Sequence, residues 1–185
     1  MQSLKGQLIL DGGKLAGSEF HRTVVLICQH DHEGAFGLVL NRKTDEKIED
    51  VLTASVPDAM RELRLYLGGP VRPQMLSCLI HDPAINGTTE DVVMPGLRLT
   101  HTLEDLVKPS KVFPAKAPVK FFAGYAGWSP GQLDSEMKEQ AWLTHPATID
   151  LVFHPWPEEL WKAILRSKGP AYRLLAEAPD DVSRN

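Results

Sequence analysis

Two apolar runs separated by a short polar turn constrain this chain more than any other feature. The segment from residue 21 to residue 41 reads HRTVVLICQHDHEGAFGLVLN, with Val, Ile and Leu concentrated on both sides of DHEG. Such runs around a turn that ends in Gly34 predict a β-hairpin. Neither run alternates cleanly between apolar and polar residues, which indicates strands covered on both faces. Both strands of the hairpin are therefore expected in the interior of the fold.

Strand signals come early in the chain and helix signals come late. Further strands are predicted at Gln7–Leu10, Leu63–Leu67, Leu76–His81, Leu97–Thr100, Val119–Gly124 and Thr148–Phe153. Capping residues predict a short helix from Thr102 to Pro109, a helix from Ser129, a helix from Pro157 to Lys168, and a short helix near Ala171–Ala178. This order favours an α+β fold, and 185 residues are best read as a single domain spanning 1–185.

Charge and composition exclude several classes of protein. The formal net charge is −4, which argues against a general affinity for nucleic acid. The only lysine-rich stretch, Val107–Lys120, carries four lysines among three prolines and is predicted to be an exposed loop. The chain shows neither a signal peptide nor an apolar segment long enough to span a bilayer. Two cysteines are too few for a secreted disulfide scaffold, so a cytoplasmic protein is expected.

The stretch Gly127–Gly131 reads GWSPG and matches the G-x-S-x-G pattern around the nucleophile of α/β-hydrolases. In that pattern the residue after the serine supplies a backbone N–H to the oxyanion hole, and here that residue is Pro130, which has none. A helix start explains the same residues: Ser129 as the cap, Pro130 at the first helical position, and Gln132 completing a capping box. The pattern therefore predicts a helix cap, and no catalytic residue is assigned.

Two hypotheses of chemical activity, a redox-active thiol and a metal site, rest on Cys28, His30 and His32. Because residues two apart share a face of a strand, His30 could lower the pKa of the Cys28 thiol and make it redox-active. His30 and His32 could also bind a metal ion, although zinc would need a third protein ligand that the spacing does not supply. The favoured interpretation makes Cys28 a core residue and His30 a strand end. No metal or other cofactor is predicted.

Three long segments of this chain resemble the bacterial YqgE/AlgH family: FHRTVVLICQHDHEGAFGLVLNR (20–42), LGGPVRPQMLSCLIHDP (67–83) and GYAGWSPGQLDSEMKEQAWLTHPATIDLVF (124–153). The helix that contains Trp161 is similar as well. The recurrent positions of the family pattern fall on Phe20, Arg22, Val24, His30, Gly34, Gly37 and Asn41, on Gly68, Gly69 and Pro70, and on Gly124, Tyr125, Trp128, Gly131, Gln132 and Leu133.

The resemblance implies a single compact α+β domain, with a branched, mostly antiparallel β-sheet of barrel-like character surrounded by helices. Family members have been described as candidate transcriptional regulators, yet this chain shows no helix-turn-helix, zinc finger or basic stripe. A non-catalytic binding or regulatory module is therefore expected, with an unidentified protein or small molecule as partner and without specific nucleic-acid binding. Its candidate binding surface comprises Arg22, His30, Gly34, Asn41, Gly68, Gly69, Pro70, Tyr125, Trp128 and Gln132.

Overall fold

The computed structural model describes residues 2–52, 58–85, 87, 89–101 and 117–179. The strands in these ranges are β1 (Gln7–Asp11), β2 (Val24–Asp31), β3 (Gly34–Val39), β4 (Lys43–Lys47), β5 (Arg64–Leu67), β6 (Val71–His81), β7 (Val92–Met94), β8 (Leu97–Thr100), β9 (Val119–Trp128) and β10 (Trp142–Pro146). The helices are α1 (Ile48–Val51), α2 (Asp58–Arg61), α3 (Gln132–Lys138), α4 (Ile149–Val152), α5 (Leu160–Ser167) and α6 (Pro170–Glu177), with a 3₁₀ turn at Pro157–Glu159. No helix within these ranges has the length and apolarity needed to cross a bilayer.

All ten strands belong to one sheet that branches at β9. The main path runs β10-β1-β2-β3-β9-β6-β8-β7, and β5 joins β9 from the side with β4 beyond it. The first half of β9 pairs with β5 and β6, whereas its second half, from Ala126 to Trp128, pairs with β3. Among the described strands, only β5 and β9 pair in parallel. The predicted α+β domain with a branched, mostly antiparallel sheet is confirmed.

Glycines make the branch possible, because three strands meet there with almost no space between their backbones. A Cβ on Gly68 would lie 2.3 Å from the carbonyl oxygen of Gly124, and a Cβ on Gly69 would lie 2.2 Å from the carbonyl carbon of Tyr125. The backbone of Gly68 also bridges two strands, since its N–H donates to Ala123 and its carbonyl accepts from Val39. The Gly-Gly-Pro turn is therefore a packing requirement of the sheet junction.

The hairpin of β2 and β3 lies in the interior, as its apolar runs predict. Val24, Leu26 and Cys28 pack in one apolar cluster with Trp161 and the C-terminal helices. Val25 and Ile27 point to the opposite face and pack in a second cluster with Trp128, Leu133 and Trp142, which draws on α3 and β10. Because every side chain from Val24 to Cys28 is at most 3% exposed, β2 is covered on both faces.

Several predicted elements differ in the structure. The predicted strand Thr148–Phe153 is wrong: the segment forms α4, and the Thr148 hydroxyl caps it by accepting from the N–H of Leu151. The strand is instead β10, just before it. The helix predicted from Ser129 begins at Gln132. Lys120 falls at the end of the predicted exposed loop and within the predicted strand Val119–Gly124; the strand prediction is right, since Lys120 is a buried residue of β9. The predicted helix from Thr102 to Pro109 lies outside the described residues.

Candidate functional site

Arg22 and Asn41 lie at the open end of the β2–β3 hairpin, just before β2 and just after β3. The Asn41 amide oxygen accepts from the N–H of Val24 at 2.9 Å, and its amide nitrogen donates to the carbonyl of Arg22 at 2.8 Å. Arg22 has a φ of 54°, a left-handed conformation that non-glycine residues rarely adopt. Its guanidinium donates to the carbonyls of Ala178 and Pro179 and lies 5.0 Å from the Trp161 ring centroid. Arg22 therefore links the start of β2 to the C-terminal helices, and Asn41 holds the same segment to the end of β3.

Asp11 also holds the segment before β2, although no sequence pattern singled it out. Its fully buried carboxylate accepts from the backbone N–H groups of Gly13, Leu15 and Arg22 at 2.7, 3.1 and 2.9 Å. This contact to Arg22 helps to hold the left-handed backbone. The signal was present in the Asp-Gly-Gly sequence, since Asp side chains commonly accept from backbone N–H groups two residues on.

The family residues at the other end of β3 also have structural contacts. A Cβ on Gly34 would lie 2.3 Å from the carbonyl oxygen of Trp128, so the hairpin turn presses directly on β9. The Glu136 carboxylate accepts from the indole N–H groups of Trp128 and Trp142 at 2.9 and 2.7 Å, and from Gln132 at 2.9 Å. Trp128 and Gln132 therefore orient α3 against the sheet through their shared acceptor, Glu136. No sequence pattern singled out Glu136.

Half of the predicted capping box is present. The Gln132 side chain accepts from the N–H of Ser129 at 3.0 Å, as the box requires. The reciprocal bond is absent, because Gly131 in the left-handed conformation caps the helix and no side chain contributes. The predicted capping by the Ser129 hydroxyl is therefore wrong, since an extra turn of chain separates this exposed serine from α3.

The structure argues against an activated Cys28 thiol. The side chain is 3% exposed, and burial raises its pKa well above the ordinary value, which disfavours the reactive thiolate. His30 is engaged elsewhere: Nδ1 accepts from the N–H of Leu4 at 3.1 Å, and Nε2 lies 3.6 Å from the Asp134 carboxylate. Within the described ranges, no group of three or more His, Cys, Asp or Glu side chains is arranged to bind a metal ion.

Five of the ten candidates line depressions, one of them an isolated cavity and four of them a group of adjoining depressions that share no lining residue with that cavity, so the ten residues do not form one surface. Tyr125 borders a cavity of about 470 Å³ together with Phe36, Arg72 and His101. Behind it, the hydroxyl of Ser77 lies 3.0 Å from His101 Nδ1, but Ser77 is only 1% exposed and cannot contact a bound molecule. Gly69 and Pro70 line an apolar groove, and Arg22 and Asn41 line a basic cleft.

The basic cleft consists of two adjoining depressions of about 360 and 460 Å³ that share Asn41, Arg42 and Glu158. Its residues come from the loop before β2, the end of β3, the strands β4 and β5, the 3₁₀ turn, and α5. They are His21, Arg22, Asn41, Arg42, Lys43, Thr44, Asp45, Arg64, Glu158, Trp161 and Lys162. Five basic side chains therefore face two carboxylates, on a chain whose net charge is −4.

The positive charge of the basic cleft is poorly neutralised from within. Arg42 and Arg64 donate to the backbone carbonyls of His21 and Asp45, which are dipoles and carry no net charge. Among the residues that the structure describes, Lys43 and Lys162 form no ion pair. Five Lys and Arg side chains gathered around one cleft concentrate positive potential there, so the arrangement suits an anionic ligand.

Fold and site together define an α+β domain with a branched sheet, in which Gly68 and Gly69 of the family pattern are required at the sheet junction and a basic cleft gathers five Lys and Arg side chains. The chain belongs to the AlgH-like family, whose model matches residues 8–173. Relatives include a UPF0301 protein of Streptomyces coelicolor, 36% identical over 100% of this chain and 97% of the relative. Another, from Chlorobium chlorochromatii, is 34% identical over 95% and 92% of the two chains.

Two solved structures share the fold. The solution structure of the AlgH protein from Pseudomonas aeruginosa is 29% identical, with a TM-score of 0.70 over 97% of this chain and 98% of that chain. The crystal structure of a protein from Corynebacterium diphtheriae is 22% identical, with a TM-score of 0.77 over 96% and 94% of the two chains. These similarities confirm the family and the fold.

Proposed function

We propose that this chain is a non-catalytic binding module that receives an anionic ligand in the basic cleft. The observation that carries the proposal is the excess of cations there, with Arg42 and Arg64 bonded only to neutral carbonyls and Lys43 and Lys162 without ion pairs in the described ranges. A ligand with carboxylate or phosphate groups would supply the missing negative charge.

A regulatory role would follow from binding, without chemistry at the cleft. The backbone around Arg22 and Asn41 is held by three partly buried hydrogen bonds, so the cleft wall is preformed and little ordering is needed when a ligand enters. A chain of net charge −4, with two carboxylates among the cations of its cleft, is poorly suited to contact a DNA backbone. Any effect on transcription would therefore pass through the bound partner, and we expect no sequence-specific DNA binding.

Tripolyphosphate is a suitable probe of the cleft, measured by calorimetry at low ionic strength. We expect binding to the native protein, and a dissociation constant raised about tenfold or more in Lys43→Glu/Lys162→Glu, because two attractive charges become repulsive. Added salt should weaken binding, since the Debye length falls to about 8 Å at 0.15 M.

The matched control is Lys138→Glu/Arg173→Glu, which changes the net charge equally at two exposed positions outside the cleft. This variant should bind tripolyphosphate within about twofold of the native protein, because exposed charges at a distance are screened. No binding to the native protein, or equal losses in the two double variants, would reject a localised anion site.

A further inference from the structure

The apolar groove adjoins the basic cleft and shares a residue with it. We define it by Glu19, Phe20, Val39, Arg42, Leu67, Gly69 and Pro70, which enclose about 310 Å³. Leu67 is 51% exposed there, and it is one of only three large apolar side chains so exposed in the described part of the chain. The Leu67 backbone is fixed, because its N–H donates to the carbonyl of Arg42 at 2.8 Å. Its exposed side chain is therefore presented on a rigid strand end.

Arg42 joins the groove to both parts of the basic cleft, since it lines all three depressions. Its guanidinium is held by the carbonyl of His21 at 2.8 Å. A ligand that follows this surface therefore meets an apolar contact at Leu67 and Pro70, then the guanidinium of Arg42, then the ammonium groups of Lys43 and Lys162. This order of contacts fits a ligand in which an apolar group stands next to several negative charges.

We infer that the groove and the cleft together bind an acidic peptide segment of a partner protein, anchored by one apolar side chain at Leu67. The inference rests on the proposed anion site and names its ligand. An extended peptide advances about 3.3 Å per residue and alternates its side chains, so one apolar residue can enter the groove while neighbouring carboxylates reach the cations. Charge complementarity supports this occupant, because Lys43 and Lys162, which form no ion pair with any described residue, line the cleft that shares Arg42 with the groove.

The test uses two fluorescein-labelled nine-residue peptides of aspartate and glutamate, one with a central leucine and one with serine in its place. Fluorescence anisotropy should show that the native protein binds the leucine peptide about fivefold more tightly, since part of one leucine side chain leaves water. Leu67→Ser should abolish that preference while leaving tripolyphosphate affinity within about twofold. Leu174→Ser, at an exposed leucine outside these depressions, should keep the preference.

The outcomes separate this inference from the proposed anion site. Equal affinity for the two peptides, or an unchanged preference in Leu67→Ser, overturns the inference even when tripolyphosphate binds. Binding to phosphatidylglycerol vesicles without binding to either peptide overturns it in favour of a lipid surface. Absence of both tripolyphosphate and peptide binding rejects the anion site itself and the inference that depends on it. Peptide preference that depends on Leu67, together with loss of both peptides in Lys43→Glu/Lys162→Glu, supports it.

Discussion

Lys120→Met should make the stability of this protein less dependent on pH, because the native lysine is buried and has no counter-ion among the described residues. Its Nζ donates to the backbone carbonyls of Leu40 and Val152 at 3.3 and 2.9 Å and lies 4.3 Å from the Tyr66 ring centroid. The residue is 6% exposed and forms no ion pair among the residues that the structure describes. Burial, aided by the nearby charge of Lys43, lowers the pKa of Lys120 from 10.5 to about 7.

The sign of the effect follows from the pKa of Lys120 in the folded and in the unfolded chain. In the unfolded chain the lysine stays protonated up to about pH 10.4, whereas in the folded chain it loses its proton near pH 7. Below pH 7 both states are protonated and the full burial penalty is present. Between these values the unfolded state binds more protons, so the free energy of unfolding rises with pH. The slope approaches about 1.4 kcal/mol per pH unit, but the folded-state lysine is only half deprotonated at pH 7, so Lys120 should add about 2 kcal/mol between pH 7 and pH 9.

Urea denaturation of the native protein and of Lys120→Met at pH 6, 7, 8 and 9 measures this term. Methionine has a similar unbranched chain and does not titrate, so any loss of the two carbonyl contacts is a constant offset. We expect the stability difference to move in favour of the native protein by about 2 kcal/mol from pH 7 to pH 9. Lys138→Met, at an exposed lysine, should show a flat difference. A difference for Lys120→Met that stays constant within about 0.5 kcal/mol would refute a desolvated lysine.

Three further predictions concern the packed core and the start of α3. Glu136→Ala should lower the free energy of unfolding by about 2–3 kcal/mol, because two indole N–H groups lose their acceptor; urea titration followed by tryptophan fluorescence measures it, and a loss below about 1 kcal/mol contradicts it. Ser129→Ala should lower the free energy of unfolding by less than about 0.5 kcal/mol and Gln132→Ala by about 1 kcal/mol. The reverse ranking in thermal melts would show that the Ser129 hydroxyl caps α3 after all. Cys28 should react with maleimide on the order of 100-fold more slowly in the native protein than in urea, and comparable rates would show an accessible thiolate.

The sequence by itself determined the features that adjacent residues specify. The apolar runs around DHEG predict a hairpin covered on both faces, because burial on both sides removes the alternation of polar residues. The segment from Pro157 to Lys168 was identified as helical from its proline, its acidic start and its glycine stop, and it forms the 3₁₀ turn and α5. The sequence also singled out Gly68 and Gly69, but as binding-surface candidates, and only the structure shows the close backbone approach that requires them.

The elements β4 and α4 were not predicted, because their local sequences favour other structures. The strand β4 reads KTDEK, a polar and mostly exposed segment that pairs with β5 at the side of the sheet. The segment IDLV reads as a strand from its β-branched residues, yet the hydroxyl of Thr148 caps it as a helix. In both segments, pairing partners and caps outweigh weak local propensity.

Only the tertiary structure decided where the charges lie. Lys120 follows a proline-rich, lysine-rich stretch that predicts exposure, but pairing of β9 with β5 and β6 places it inside the sheet. The basic cleft assembles Arg42, Arg64 and Lys162 from distant parts of the chain. Burial and electrostatic field depend on which elements pack together in space, and neither quantity is written in the spacing of neighbouring residues.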